Sequence, residues 1–247
     1  MILFVFEGSR EDIIFQSLRQ CFFHQEDEGI VCVFQADLMT LWYKLQENGE
    51  DFFRLLKERL SNRGDHSIDQ YSEWEFSEIF LFFDYDFQNT GMPLDELNLK
   101  TREMLKFFSE ETNEGKLYIN YPMVESIKYL KSLTDPDYYS YTVSRQDCLR
   151  FKQLATNFSF DSGYRSITIR QDTEEEVNRV KKNWLLLINL NVSKANFLCN
   201  EQLSIPDDKS LISQGNLFDV QLDKFVTVLD SVSVLNSFPL FLFEYFV

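Results

Sequence analysis

Short runs of large apolar residues recur through the first half of the chain, each followed by a segment with helical spacing. ILFVF (2–6), IVCVF (30–34), EIFLFF (78–83) and KLYIN (116–120) are continuous rather than alternating. Strands read this way when both faces of a parallel sheet are covered. Residues 10–23 put Ile13, Ile14, Ser17, Leu18, Cys21 and Phe22 on one helical face. Residues 37–60 are helical in composition with a break near Asn48-Gly49, residues 95–110 look helical, and Met123 to Lys131 follows Pro122 as a further helix. Strand alternating with helix four times predicts an α/β fold, a parallel sheet flanked by helices, with ILFVF as its central strand. Functional groups in such sheets collect at the carboxyl ends of the strands.

The pattern changes after about residue 133. Residues 1–133 read as the sheet-bearing domain and 134–247 as a mainly helical region packed on it, with no Gly/Ser/Pro-rich linker between them. Thr173 followed by Glu174, Glu175 and Glu176 starts a helix that runs to 200. Residues 216–235 read as another helix, and the tail SFPLFLFEYF as core or an interface strand.

Forty acids against 24 bases give a net charge of -16. Such a surface repels nucleic acid at long range, so action on a polyanion requires metal ions, a local basic patch or a basic partner. Cysteines at 21, 32, 148 and 199 are too scattered for a CxxC metal site and read as reduced thiols. With no signal-peptide pattern and no run approaching the ~20 apolar residues of a membrane span, the expectation is a cytosolic protein with no membrane contact. His24 and His66 are the only histidines, which argues against a histidine metal cluster or a Ser-His-Asp triad.

Two acidic constellations stand at strand ends. Glu7-Gly8 closes the first strand, and glycine there lets a ligand approach. In FLFFDYDFQN, Asp84 and Asp86 follow directly on the third predicted strand. Positions i and i+2 of an extended segment face the same way, so both carboxylates are expected to point at one spot. Each motif alone is common: Glu-Gly is an ordinary turn and DxD an ordinary solvated loop. If the two strands are neighbours the three acids converge, and a hard divalent cation relieves their repulsion.

Strand-Glu-Gly-helix followed by strand-Asp-x-Asp resembles the Toprim fold over roughly residues 1–130. That fold is shared by topoisomerases, bacterial primases, small recombination factors and OLD-type nucleases. The resemblance implies metal binding or acid/base chemistry for Glu7 and magnesium, or manganese in its place, on Glu7, Asp84 and Asp86. The chain is too short for a topoisomerase, lacks a primase's zinc module and lacks the recombination factors' four-cysteine site, which leaves a compact nuclease. YINYPMVESIKYL (118–130) is similar to the corresponding region of the Toprim-like nuclease subunits of PARIS-type phage-defence systems. It places Asn120, Pro122, Glu125 and Ser126 near the end of the fourth strand, with Glu125 joining or supporting the acids. Many members carry Asp four residues after the glutamate. Here that position is Glu11, which either substitutes for it or leaves Asp12 to cap the helix.

The resemblance thus implies a magnesium-dependent nuclease acting on DNA or RNA, transfer RNA included. It further implies a toxic antiviral effector held by an ABC-type ATPase partner; homodimers are also compatible with such folds. A catalytically inactive scaffold, or an acidic mimic of nucleic acid, is the alternative. Lys194, Arg10 and Arg19 read as surface cations, with phosphate contact as their functional alternative.

Overall fold

The computed structural model describes residues 1–24, 28–89, 91–112 and 114–247. Strands β1 (Ile2–Phe6), β2 (Gly29–Val33), β3 (Glu78–Asp84), β4 (Ser109–Glu110) and β5 (Gly115–Asn120) form one sheet in the order β2-β1-β3-β5-β4. β2, β1, β3 and β5 are parallel, and the two-residue β4 pairs antiparallel with β5. The α/β class read from the sequence is the one observed. The middle position belongs to β3, however, and β1 lies between it and β2, because the connection after β2 crosses back over β1.

Helix α1 (Ser9–Phe22) links β1 to β2; α2 (Leu38–Glu47) and α3 (Phe52–Ser61) link β2 to β3; α4 (Leu94–Phe107) follows β3. The first crossover steps one way along the sheet and the later ones step the other. With right-handed connections this puts α1 on one face and α2, α3 and α4 on the opposite face. The break between α2 and α3 falls at Gly49 (φ +69°), and Asp51 then caps α3 by accepting from the Arg54 N–H at 2.9 Å.

The continuous apolar strands are buried on both faces. Phe4, Phe6, Phe80, Phe82 and Tyr118 share the α1 face, with Phe4 against Phe15 (4.3 Å between centroids) and Phe82 against Phe238 (4.8 Å). Leu3, Val5, Leu81 and Phe83 fill the other face and are fully buried. Ile13, placed on the inner face of α1 by its spacing, points outward instead.

The C-terminal region comprises β6 (Thr142–Ser144), α5 (Arg145–Cys148), α6 (Phe151–Phe158), α7 (Glu174–Asn200), α8 (Gln214–Val220), a π-helical turn (Gln221–Val226), α9 (Thr227–Leu229), β7 (Ser231–Ser233) and α10 (Ser237–Phe246). It is mainly helical, as expected, and its apolar residues are continuous with the sheet's core. Thr173 caps α7 by accepting from the Glu176 N–H at 3.3 Å.

Four local expectations are corrected. Residues 123–131 form only a 3₁₀ turn, Val124–Lys128. The helix read over 216–235 stops at Asp230, which turns left-handed (φ +45°), and Ser231–Ser233 then pairs antiparallel with β6. The apolar tail belongs to the core, as one of its two readings has it, but as a helix rather than a strand. Asn236 accepts from the Phe238 N–H at 3.1 Å, and Pro239 falls in the first turn, where its missing N–H costs nothing. Lys194 is not a surface cation but fully buried, donating to the Tyr138 and Tyr141 carbonyls at 3.0 and 2.9 Å. Among the described residues, no helix is long and apolar enough to cross a membrane.

Candidate functional site

Parallel pairing of β1 with β3 sets Phe6, the last residue of β1, opposite Phe82, and β3 runs two residues further to Asp84. The Glu7 N–H continues the ladder to the Phe82 carbonyl at 3.0 Å, and the Asp84 N–H donates to Glu7 Oε2 at 2.9 Å. β5 ends in register with β3: Asn120 lies opposite Asp84, and its Nδ2 donates to Asp84 Oδ1 at 3.1 Å. Glu7, Asp84 and Asn120 therefore stand side by side at the carboxyl edge.

Gly8 is the residue before α1. Its backbone is extended (φ -137°), which any residue adopts, so its role is space: a Cβ there would lie 3.3 Å from Glu11 Oε2. Glu11 lies in the first turn of α1, where its own backbone N–H and that of Gly8 favour the ionised carboxylate. Glu11 is buried and faces the same hollow as Glu7. Asp12 lies on the helix surface, where it accepts from Gln16 Nε2 at 2.7 Å.

This hollow holds about 280 Å³ and is lined by Glu7, Gly8, Ser9, Arg10, Glu11, Asp84, Val124, Glu125 and Lys152. Glu125 comes from the 3₁₀ turn after β5 and is buried, with Oε2 lacking a hydrogen-bond partner among the described residues. Lys152, on α6, and Arg10 bring positive charge to this acidic hollow. Two other hollows, of about 300 and 520 Å³, lie against α7 and beside Trp74, away from the strand ends that carry Glu7 and Asp84.

Asp86 departs from the expected geometry. β3 ends at Asp84, and Asp86 is left-handed (φ +52°), so the two aspartates do not follow one extended strand. Asp86 does not line the hollow. Its Oδ1 accepts from Gln88 Nε2 at 2.9 Å, and Asp37, which caps α2 after β2, is near enough to raise its pKa. Glu7 lies between the two groups and is influenced by Asp86, Glu11 and Asp37 alike.

Crowded acids taken out of water hold their protons. Burial, then the Asp86 charge, pushes Glu7 up to about 9 against the pull of the Asp84 N–H. Burial raises Asp84 well above the usual carboxylate range, with Glu7 adding to it. Burial raises Glu11 to about 7, with Glu125 adding and Lys152 opposing. Burial, then Asp37, raises Asp86 to about 6, opposed by Gln88 and Lys152.

The donor set is carboxylate oxygen, with one buried oxygen unpartnered, and that chemistry fits a hard divalent cation. Among the described residues no group of three His, Cys, Asp or Glu side chains is already arranged to hold a metal ion. The fit is thus one of donor chemistry rather than of a preformed shell. Of the other residues singled out, Arg19 belongs to the last turn of α1 and His66 to the polar loop, bonded to Asp69 at 2.6 Å. Asp37, Lys152 and Ser237 escape the sequence reading; only Asp37 carries a local sign, its place just before a helix. Searches against protein-family models, curated proteins and solved structures match nothing to this chain.

Proposed function

We propose that this chain is a magnesium-dependent, Toprim-like nuclease, with Glu7, Asp84 and Asp86 as the cation-binding acids and Glu11 and Glu125 in support. The observation that carries the reading is the Glu7–Asp84 hydrogen bond across adjacent parallel strands, with Glu11 and Glu125 in the same hollow. A bound divalent cation supplies charge stabilisation at phosphate and acidification of water. Burial pushes the Glu7 carboxyl up to about 9, and it would be the group to accept a proton from water if a cation beside it lowered that value. Arg10 and Lys152 draw the substrate's phosphates toward an otherwise acidic hollow. Asp84 orients what Glu7 holds, because the two share a hydrogen bond.

The substrate is DNA or RNA, transfer RNA included, and the proposed setting is antiviral: an effector restrained by an ABC-type ATPase. The net charge of -16 supports that setting, since a nuclease that meets its polyanion poorly alone is easily kept silent. The same charge favours one rival, an inactive acidic scaffold or nucleic-acid mimic. Expression toxicity separates the two. Wild type, Glu7→Ala and Asp84→Ala are compared with and without the ATPase, alongside cleavage of DNA and RNA by purified protein with magnesium. Toxicity and cleavage by wild type alone support the nuclease; equal behaviour of all three sinks it.

A further inference from the structure

Asp84 is tied to the C-terminal helix through a single amide. Asn120 is fully buried at the end of β5, and its Oδ1 accepts twice from Ser237, from the backbone N–H at 3.1 Å and from Oγ at 2.8 Å. With the oxygen so engaged, the amide has one orientation open to it, and Nδ2 becomes the donor to Asp84 Oδ1. Ser237 is held in turn. It is the first residue of α10, after Asn236, whose Nδ2 donates to the Val124 carbonyl (3.1 Å) and to Ser126 Oγ (3.0 Å). The Asn236 N–H donates to Asn191 Oδ1 on α7 at 3.2 Å, and that oxygen also accepts from Tyr138 Oη at 2.7 Å.

Asp84, Asn120, Ser237, Asn236 and Asn191 are all buried and linked in series. A buried polar chain is tolerated only when its members are satisfied, and it then fixes one arrangement. This one runs from the C-terminal helices to the carboxylate at the end of β3. Tyr118, two residues before Asn120, donates to Glu244 Oε2 at 2.7 Å, and Lys116 pairs with the same carboxylate, so β5 and α10 are fastened along their length.

We propose that Asn120 and Ser237 are positioning residues for Asp84: they occupy Oδ1 with a fixed donor, leave the second carboxylate oxygen for a cation, and make the start of α10 part of the active site. The inference rests on the nuclease reading for what Asp84 does, while the hydrogen bonds stand independently of it. It means that residues 1–133 do not complete the site, since Ser237 lies 117 residues beyond Asn120.

The test uses the full-length chain, Mn²⁺ as the probe ion, followed by the spin resonance of free Mn²⁺, and bis(p-nitrophenyl) phosphate as the probe substrate. Ser237→Ala is expected to weaken Mn²⁺ binding about tenfold, as loss of an outer support does, and to lower kcat with little change in KM. Ser237→Thr, which keeps the hydroxyl, is expected to restore both. Asn120→Leu is expected to lose at least as much as Ser237→Ala; urea unfolding checks that each variant is folded, and the milder Ser237 pair decides should Asn120→Leu fail to fold. Wild-type Mn²⁺ affinity and kcat in folded Ser237→Ala would overturn the relay and leave the nuclease reading standing. A wild type that neither binds Mn²⁺ nor hydrolyses the diester overturns the reading, and the relay's role with it.

Discussion

The backbone N–H of Asp84 donates to Glu7 Oε2 at 2.9 Å, so the last residue of one strand fixes the carboxylate that closes its neighbour. Glu7→Gln keeps an oxygen able to accept that bond and removes the exchangeable proton. The variant is expected to fold as wild type and to lose diester cleavage by on the order of 100-fold or more, the usual scale for an acid/base group. Glu7→Ala removes the acceptor as well, and is expected to be no more active and less stable. Cleavage rates with magnesium, measured beside urea unfolding, distinguish the two; an active Glu7→Gln would remove Glu7 from the chemistry.

The same carboxyl sets a pH dependence of stability. Burial and Asp86 hold the Glu7 proton up to about 9, whereas the unfolded chain releases it at about 4.3. Between these values the folded state binds more protons than the unfolded one. The contribution of Glu7 to stability is therefore intact below the unfolded value and is lost as pH rises toward the folded one. Glu7→Gln removes the share that Glu7 contributes and leaves that of Asp84, Glu11 and Asp86. In metal-free protein, its Tm relative to wild type is expected to climb from pH 5 to pH 8 by about 2–4 °C for each kcal/mol released. Magnesium is expected to shrink the gap at the upper end by stabilising ionised wild type. A difference that stays constant with pH would mean that Glu7 titrates as an ordinary carboxylate.

Gly115 starts β5 at φ +116°, where a Cβ would meet Leu81 Cδ1 at 2.6 Å and Ile79 Cγ2 at 3.0 Å. Both the backbone and the close approach to β3 exclude a side chain. Gly115→Ala is expected to cost about 2 kcal/mol or more in urea unfolding. Wild-type stability in this variant would contradict the packing of β5 on β3.

What the sequence discloses about the site follows from its strands. A continuous apolar run ending in an acid marks the carboxyl edge of a parallel sheet, so Glu7 and Asp84 are legible, and Asn120 ends the last such run. Asp86 is misread because alternation holds only while the chain stays extended, and β3 stops two residues earlier. Lys194 lies three residues after buried Asn191 and ten after buried Trp184, on the inner stripe of α7; its charge hides what its spacing gives away. The tail is ambiguous because FPLFLF is apolar at every position, and a short all-apolar run fits helix and strand alike. Asn236 and Pro239 hold the local sign that it starts a helix. Ser237, Lys152 and Arg145 reach the site region only through tertiary packing, which no local pattern reports.

Arg145 holds the segment that follows Asp86. Its Nε donates to the Phe87 carbonyl at 3.0 Å and its Nη2 to the Asn89 carbonyl at 2.9 Å, with the guanidinium 5.7 Å from the centre of the Phe87 ring. Asp86 lies beyond the end of β3 in a left-handed turn, closed by the Asn89 N–H on its own carbonyl at 2.8 Å. Among the described residues no strand pairing reaches it, and this clamp from the C-terminal region helps to hold its turn. Arg145→Ala is expected to cost about 1.5–3 kcal/mol, the scale of hydrogen bonds to a charged group. Arg145→Lys is expected to recover only part of that, because an ammonium lacks the planar fork that spans two carbonyls. If Asp86 contributes to cation binding, Mn²⁺ affinity falls in both variants in the same order as stability. Unchanged affinity in a destabilised Arg145→Ala would place Asp86 outside the cation site and leave Glu7 and Asp84 to hold it with Glu11 or Glu125.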